Sequence, residues 1–169
     1  AGDPADSAAG ESTPNGSRLN MGAYGGPLQA SKGAGRRVLH VDQAQGSDVY
    51  RGTSRADSFK TIGAAVNASS DGDAILVGPG RYAETVGLDY IRVLTIQRAA
   101  YAAIVKGLEG YAFTFYFNQP EECVLRNFII TGCSEAGIYL ENSRPTLEHL
   151  TLVDNSYGIA ANNAFPAIQ

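Results

Sequence analysis

Toward its end the chain writes the same phrase twice. Residues 123–144 read CVLRNFIITGCSEAGIYLENSR, residues 145–165 read PTLEHLTLVDNSYGIAANNAF, and Pro166 opens a third copy. Set side by side, the copies pair Leu125 with Leu147, Asn127 with His149, Phe128 with Leu150 and Ile130 with Leu152. After a one-residue deletion past Ser156, Gly137 falls on Gly158, Ile138 on Ile159, Asn142 on Asn163 and Pro145 on Pro166. Self-similarity at so constant a step marks a repeat architecture, in which each unit buries its apolar face only against its neighbours.

Local chemistry selects the kind of repeat. The apolar residues come in strand-length bursts, such as Phe128-Ile129-Ile130 and Ile138 with Leu140, rather than at helical spacing. Between the bursts stand Thr131-Gly132-Cys133-Ser134, Glu141-Asn142-Ser143-Arg144 and Asp154-Asn155-Ser156. These residue types tolerate left-handed backbone and bond turn amides with their own side chains. Three short strands and three turns per coil, stacked in parallel, make a β-helix. The spaced-leucine consensus of a leucine-rich repeat is missing. Asn142 and Asn163 occupy equivalent turns, so their amides are expected to stack from coil to coil and bond the backbone of the adjacent coil.

Upstream, residues 1–35 differ in composition, being rich in Gly, Pro, Ser, Ala and Asn with few apolar anchors. Alone they read as a linker. A module begins at Arg37. Val38-Leu39-His40-Val41-Asp42 alternates as a strand, and Ser58 to Ala68 sets Phe59, Ile62 and Val66 on one helical face, with Asp57 or Ser58 as N-cap. So short a helix needs tertiary packing, and covering the open apolar end of a solenoid would supply it. Then come Gly72-Asp73, the buried strand Ala74-Ile75-Leu76-Val77, the turn Gly78-Pro79-Gly80, and Tyr82 to Val86. In Tyr111-Ala112-Phe113-Thr114-Phe115-Tyr116-Phe117, alternation puts Tyr111, Phe113, Phe115 and Phe117 on one face. Four rings in water are costly, so an internal aromatic ladder is expected over an external sugar platform.

The run from VDQAQGSDVYRGTS through FKTIGAAV to GDAILVGPGRYAETV resembles the N-terminal cap and first coil of the pectin-lyase-like right-handed parallel β-helix proteins. Some of those are pectate or alginate lyases, and many have no assigned activity. The phrase PNGSRLNMGAYGG at residues 14–26 resembles the closing segment of β-helix modules in large bacterial surface proteins. Together the resemblances imply an all-β, right-handed parallel β-helix, a single-stranded solenoid with a short N-terminal capping α-helix. Residues 1–35 would be the tail of a preceding module plus linker. Residues 36–169 would be the cap and first coils of a second module, truncated at its C-terminus.

Charge and composition narrow the function. A formal net charge of −4 gives no nucleic-acid footprint, and no apolar run reaches the roughly 18 residues of a membrane span. Cys123 and Cys133, the only cysteines, are too few for a disulfide framework and read as buried thiols. In the resembling lyases a Lys or Arg base works beside calcium held by acidic residues. Here Lys106 is the only lysine after Lys60, and Asp154 the only aspartate after Asp89. No metal-ligand set and no cofactor is evident, calcium stays open through the resemblance alone, and no catalytic residue is assigned. The pairs Glu121-Glu122 and Glu141/Glu148, and the loop aspartates Asp42, Asp48 and Asp57, read as turn and surface charges. Outward on the repeated coils stand Arg126, Tyr139 and Glu141, which could contact a glycan or be ordinary surface.

The expectation is therefore a non-catalytic extracellular or cell-surface module for adhesion or glycan binding, with polysaccharide as partner and self-association through the open solenoid end. The alternative is the N-terminal part of a polysaccharide lyase or hydrolase whose catalytic coils lie beyond residue 169.

Overall fold

In the computed structural model, which describes residues 36–89, 95–98, 103–117 and 123–169, every strand pairing among the described residues is parallel. The expected module tail at residues 1–35 lies outside the described residues. After β1 (Val38–Val41) and the helix α1 (Ile62–Ala68), strands come in threes. They are β2 (Ala74–Val77), β3 (Gly80–Ala83) and β4 (Val86–Asp89), then β5 (Thr95–Arg98), β6 (Ala103–Lys106) and β7 (Tyr111–Tyr116). Next follow β8 (Val124–Arg126), β9 (Ile129–Thr131) and β10 (Ala136–Glu141), then β11 (Thr146–Glu148), β12 (Thr151–Val153) and β13 (Tyr157–Asn162), and finally β14 (Ala167–Ile168). Within each set of three, consecutive strands do not pair. Each joins its counterpart one coil away, giving sheets β1-β2-β5-β8-β11-β14, β4-β7-β10-β13 and β3-β6-β9-β12. The chain is an all-β parallel solenoid.

The step along the repeat is nearly constant in the last coils, where Val124 pairs with Thr146 and Thr146 with Ala167. Between β5 and β8 it is longer, running from Thr95 to Val124. Inward side chains stack in ladders one residue wide. Leu39, Ile75, Ile96, Leu125 and Leu147 are in register and at most 2% exposed. Val86, Phe113 and Ile138 form a second ladder, and Tyr82, Val105 and Ile130 a third. Each fully buried aliphatic or aromatic rung contributes about 1.5–3 kcal/mol against its exposed state, so the solenoid is held by many similar increments. Cys123 and Cys133 lie buried within this core and form no disulfide.

Left-handed residues make the corners. Phe117, Asn142 and Asn163 follow β7, β10 and β13 with φ of 57°, 48° and 47°. Asn127 and His149 follow β8 and β11, and Gly132 and Asp154 follow β9 and β12, all with positive φ. Asn, Asp and His tolerate this region better than other L-residues. At the earlier corners the amides continue the inter-coil ladder: Asn142 donates to the Asn162 carbonyl at 3.0 Å, Asn127 to Glu148 at 3.0 Å and Gly132 to Asp154 at 3.1 Å. Asn155 adds side-chain bonds across one coil, accepting from the Cys133 amide and donating to the Ile130 carbonyl, both at 3.0 Å.

Two sequence expectations are corrected here. The helix begins after Thr61, whose hydroxyl accepts from the Ala64 amide at 3.2 Å, and not at Asp57 or Ser58. Phe59 is withheld from it by a parallel bridge to Val41, with its amide bonded to the His40 carbonyl at 2.9 Å. Asp48 then takes the Lys60 and Thr61 amides, and Glu84 takes those of Ile62 and Gly63. The helix buries Ile62, Ala65 and Val66 and packs against β1, β2 and β4. The second correction concerns the aromatic strand: Phe113 and Phe115 are fully buried, but Tyr111 is partly exposed and Phe117 is 49% exposed. Ala112 and Phe113 are buried in succession, which breaks the alternation before Phe113, while Phe117 leaves the strand at a left-handed corner.

Candidate functional site

The displaced tyrosine creates the most organised outward surface among the described residues. The Tyr139 ring on β10 lies 5.1 Å from that of Tyr111 and 5.8 Å from that of Tyr116, both on β7, measured between centroids. Parallel register brings them together, because Tyr139 pairs with Thr114, between the two. Offset or tilted rings at this separation attract one another beyond simple burial. All three are partly exposed.

Carboxylates fix the rims of this cluster. The Tyr111 hydroxyl donates to Glu135 Oε2, and the Tyr139 hydroxyl donates to Glu141 Oε2 at 3.2 Å. Asn162, which pairs with Glu141 one coil on, also bonds the Tyr139 hydroxyl. The bond to Glu135, followed by burial, pushes the Tyr111 phenol up to about 12, because a hydroxyl donating to a carboxylate resists losing its proton. Tyr139 is raised too, first by desolvation and then by Glu141. Beside the rings opens a groove of about 440 Å³ lined by Tyr111, Ser134, Glu135, Ser156 and Tyr157 among others. It crosses three coils, since Tyr111, Ala136 and Tyr157 are in register. Tyr157 is 68% exposed.

Of the residues singled out from sequence, Tyr139 and Glu141 meet on this face. Arg126 does not join them. It sits on β8 of the six-stranded sheet, where its Nε donates to Gln97 at 2.6 Å and its Nη1 lies 3.6 Å from Glu148. Lys106 is on β6, in the third sheet. Glu141 and Glu148 belong to different sheets, and Glu121 and Glu122 lie outside the described residues. The loop aspartates are engaged with backbone: Asp42 caps the amides of Ala44 and Gln45, Asp48 those of Lys60 and Thr61, and Asp57 that of Arg51. Among the described residues no group of three His, Cys, Asp or Glu side chains is placed to hold a metal ion. Nor is any helix there long and apolar enough to cross a membrane.

Sequence reasoning missed Tyr111, Tyr116, Glu135 and Tyr157 as members of this face. The longer step between the second and third coils, from Phe113 to Ile138, hid the register that sets Tyr139 against β7. The consecutive small and aromatic residues Ala112-Phe113 were the one local hint that Tyr111 would turn outward.

The class these observations define is the parallel β-solenoid repeat protein. No family model matches the chain, and neither a curated protein nor a solved structure is significantly similar to it.

Proposed function

We propose that the chain is a non-catalytic β-solenoid module of an extracellular or cell-surface protein, of the pectin-lyase-like type, that works by binding glycan. The observation that carries this reading is the cluster of Tyr111, Tyr116 and Tyr139 beside a groove that crosses three coils. A pyranose ring offers an apolar C–H face that lies flat on a tyrosine, while its hydroxyls reach rim groups such as Glu135, Ser134 and Ser156. Rings mounted on a stacked sheet lose little conformational freedom on binding, which favours affinity. The groove runs from coil to coil, the direction a linear polymer would follow.

Affinity electrophoresis through gels containing a panel of polysaccharides, confirmed by titration calorimetry, tests the reading. At least one polysaccharide is expected to retard the chain, and Tyr139→Ala is expected to abolish the retardation while circular dichroism shows the chain still folded. Retardation by no member of the panel removes glycan binding as the function.

The same reading includes adhesion by self-association through β12, β13 and β14, which end their sheets among the described residues. Leu152 and Ile159 are only partly buried there, and Ile168 is 67% exposed. An edge strand is a template for a further strand.

A further inference from the structure

Charge on the tyrosine face is one-sided. Strands β4, β7, β10 and β13 read VGLD, YAFTFY, AGIYLE and YGIAAN, with no lysine, arginine or histidine among them. Glu141 pairs with Tyr116 in register, and Glu135 immediately precedes β10. Both carboxylates accept one tyrosine hydroxyl each. A carboxylate has about four acceptor sites on its two oxygens, so one such bond leaves room for a ligand donor. Aromatic faces carry negative quadrupole potential and attract cations within about 6 Å of the ring centroid. Rings and rim thus favour the same sign of ligand, and a uronate carboxylate would meet repulsion from both.

We infer that the Tyr111–Tyr116–Tyr139 face takes a carbohydrate bearing protonated amines, an amino-sugar polymer, in preference to a uronate. This rests on the glycan-binding reading and specifies its ligand class. The sugar ring lies on the tyrosines, and its ammonium group reaches Glu135 or Glu141. Binding is non-covalent, and no bond is made or broken.

Calorimetry with three probes of equal length decides the matter, each below the pKa of the amine: oligomers of glucosamine, of N-acetylglucosamine and of galacturonate. The glucosamine oligomer is expected to bind at least about tenfold more tightly than either other probe, in line with a desolvated cation–π contact plus a charge-assisted bond. That preference is expected to fall with added salt and to vanish in the Glu135→Gln/Glu141→Gln double variant, while Tyr139→Ala removes binding altogether. Equal or tighter binding of the acetylated or uronate oligomer, still abolished by Tyr139→Ala, overturns the amine preference and leaves glycan binding standing. Glucosamine binding that survives both variants places the ligand elsewhere and overturns the assignment. Binding of none of the three, with no polysaccharide retarding the chain, removes the parent reading and this inference with it. A parent-like circular dichroism spectrum and a cooperative melt of each variant confirm that the fold is kept.

Discussion

The side-chain amide of Asn163 donates to the side-chain oxygen of Asn142 at 2.6 Å across one coil, and both residues sit at left-handed corners with φ of 47° and 48°. One residue type therefore meets two demands, a backbone that L-residues disfavour and a side chain able to bond its own copy. The two demands can be separated. Asn142→Gly keeps the corner and loses the amide, which is expected to cost about 1 kcal/mol. Asn142→Ala loses the amide and forces a Cβ into the left-handed region, raising the loss to about 2–3 kcal/mol. Urea denaturation of the two variants should reproduce that order, and equal losses would show that the corner conformation contributes nothing.

The stacking of these two turns was legible in the sequence because the repeat is nearly regular from Cys123 onward. The Asn163 amide, expected to bond the backbone of the adjacent coil, bonds the Asn142 side chain instead. Asn142 and Asn163 align by the repeat step with no knowledge of coordinates, and the strand-length apolar bursts point to parallel stacking. Legibility fails between the second and third coils, where the step stretches, from Phe113 to Ile138 in one sheet and from Thr95 to Val124 in another. There the register of β7 against β10 depends on where loop residues are inserted, and period counting cannot locate them. The helix start was misread for a related reason. Phe59 fits a helical face by spacing, but a long-range bridge to Val41 outcompetes local propensity. Tyr139 and Glu141 could be picked as outward by alternation alone. Separating Arg126 from them needed the sheet assignment, because β8 and β10 belong to one coil but to different sheets.

Asp73 contributes to the acid limb of stability. Only 3% exposed, it accepts from the Arg37 amide and guanidinium, with Nη2 at 2.6 Å, and from the Ser70 amide at 2.8 Å. Burial alone would raise its pKa, but the bonds from Arg37 and Ser70 prevail and hold it below the ordinary 3.8. A carboxylate whose pKa is depressed by folding stabilises the fold above its unfolded pKa and loses that contribution as pH falls through the folded value. Stability should therefore decline below about pH 4. Asp73→Asn is expected to cost about 1–3 kcal/mol at neutral pH and to flatten the decline. A variant whose pH profile parallels the parent's would remove Asp73 from this role.

The tyrosine face offers a spectroscopic check that needs no ligand. Tyr111 ionises at about 12 because its hydroxyl bonds Glu135, and Tyr82 also at about 12 because it is buried. Glu135→Gln should bring Tyr111 back toward the ordinary 10.0 and leave Tyr82 unmoved. Following tyrosinate absorbance as pH rises, the variant is expected to ionise one additional tyrosine in the earlier phase. An unchanged titration would mean that Glu135 does not hold the Tyr111 hydroxyl in solution.

The proposed association through β12, β13 and β14 makes a prediction that separates surface from core. Phe165 and Ile168 are 66% and 67% exposed, so changing them should leave the fold's own stability within about 0.5 kcal/mol. Sedimentation velocity over a wide concentration range is expected to show reversible growth beyond the single chain. Ile168→Lys sets a charge on β14, where any added strand would pair, and lysine on an edge strand opposes such pairing. Association should weaken in that variant, and more so with Phe165→Ser, at unchanged melting temperature. A chain that sediments as a monomer at every concentration would show that partly covered Leu152 and Ile159 are tolerated in water, and adhesion would then have to rest on the tyrosine face alone.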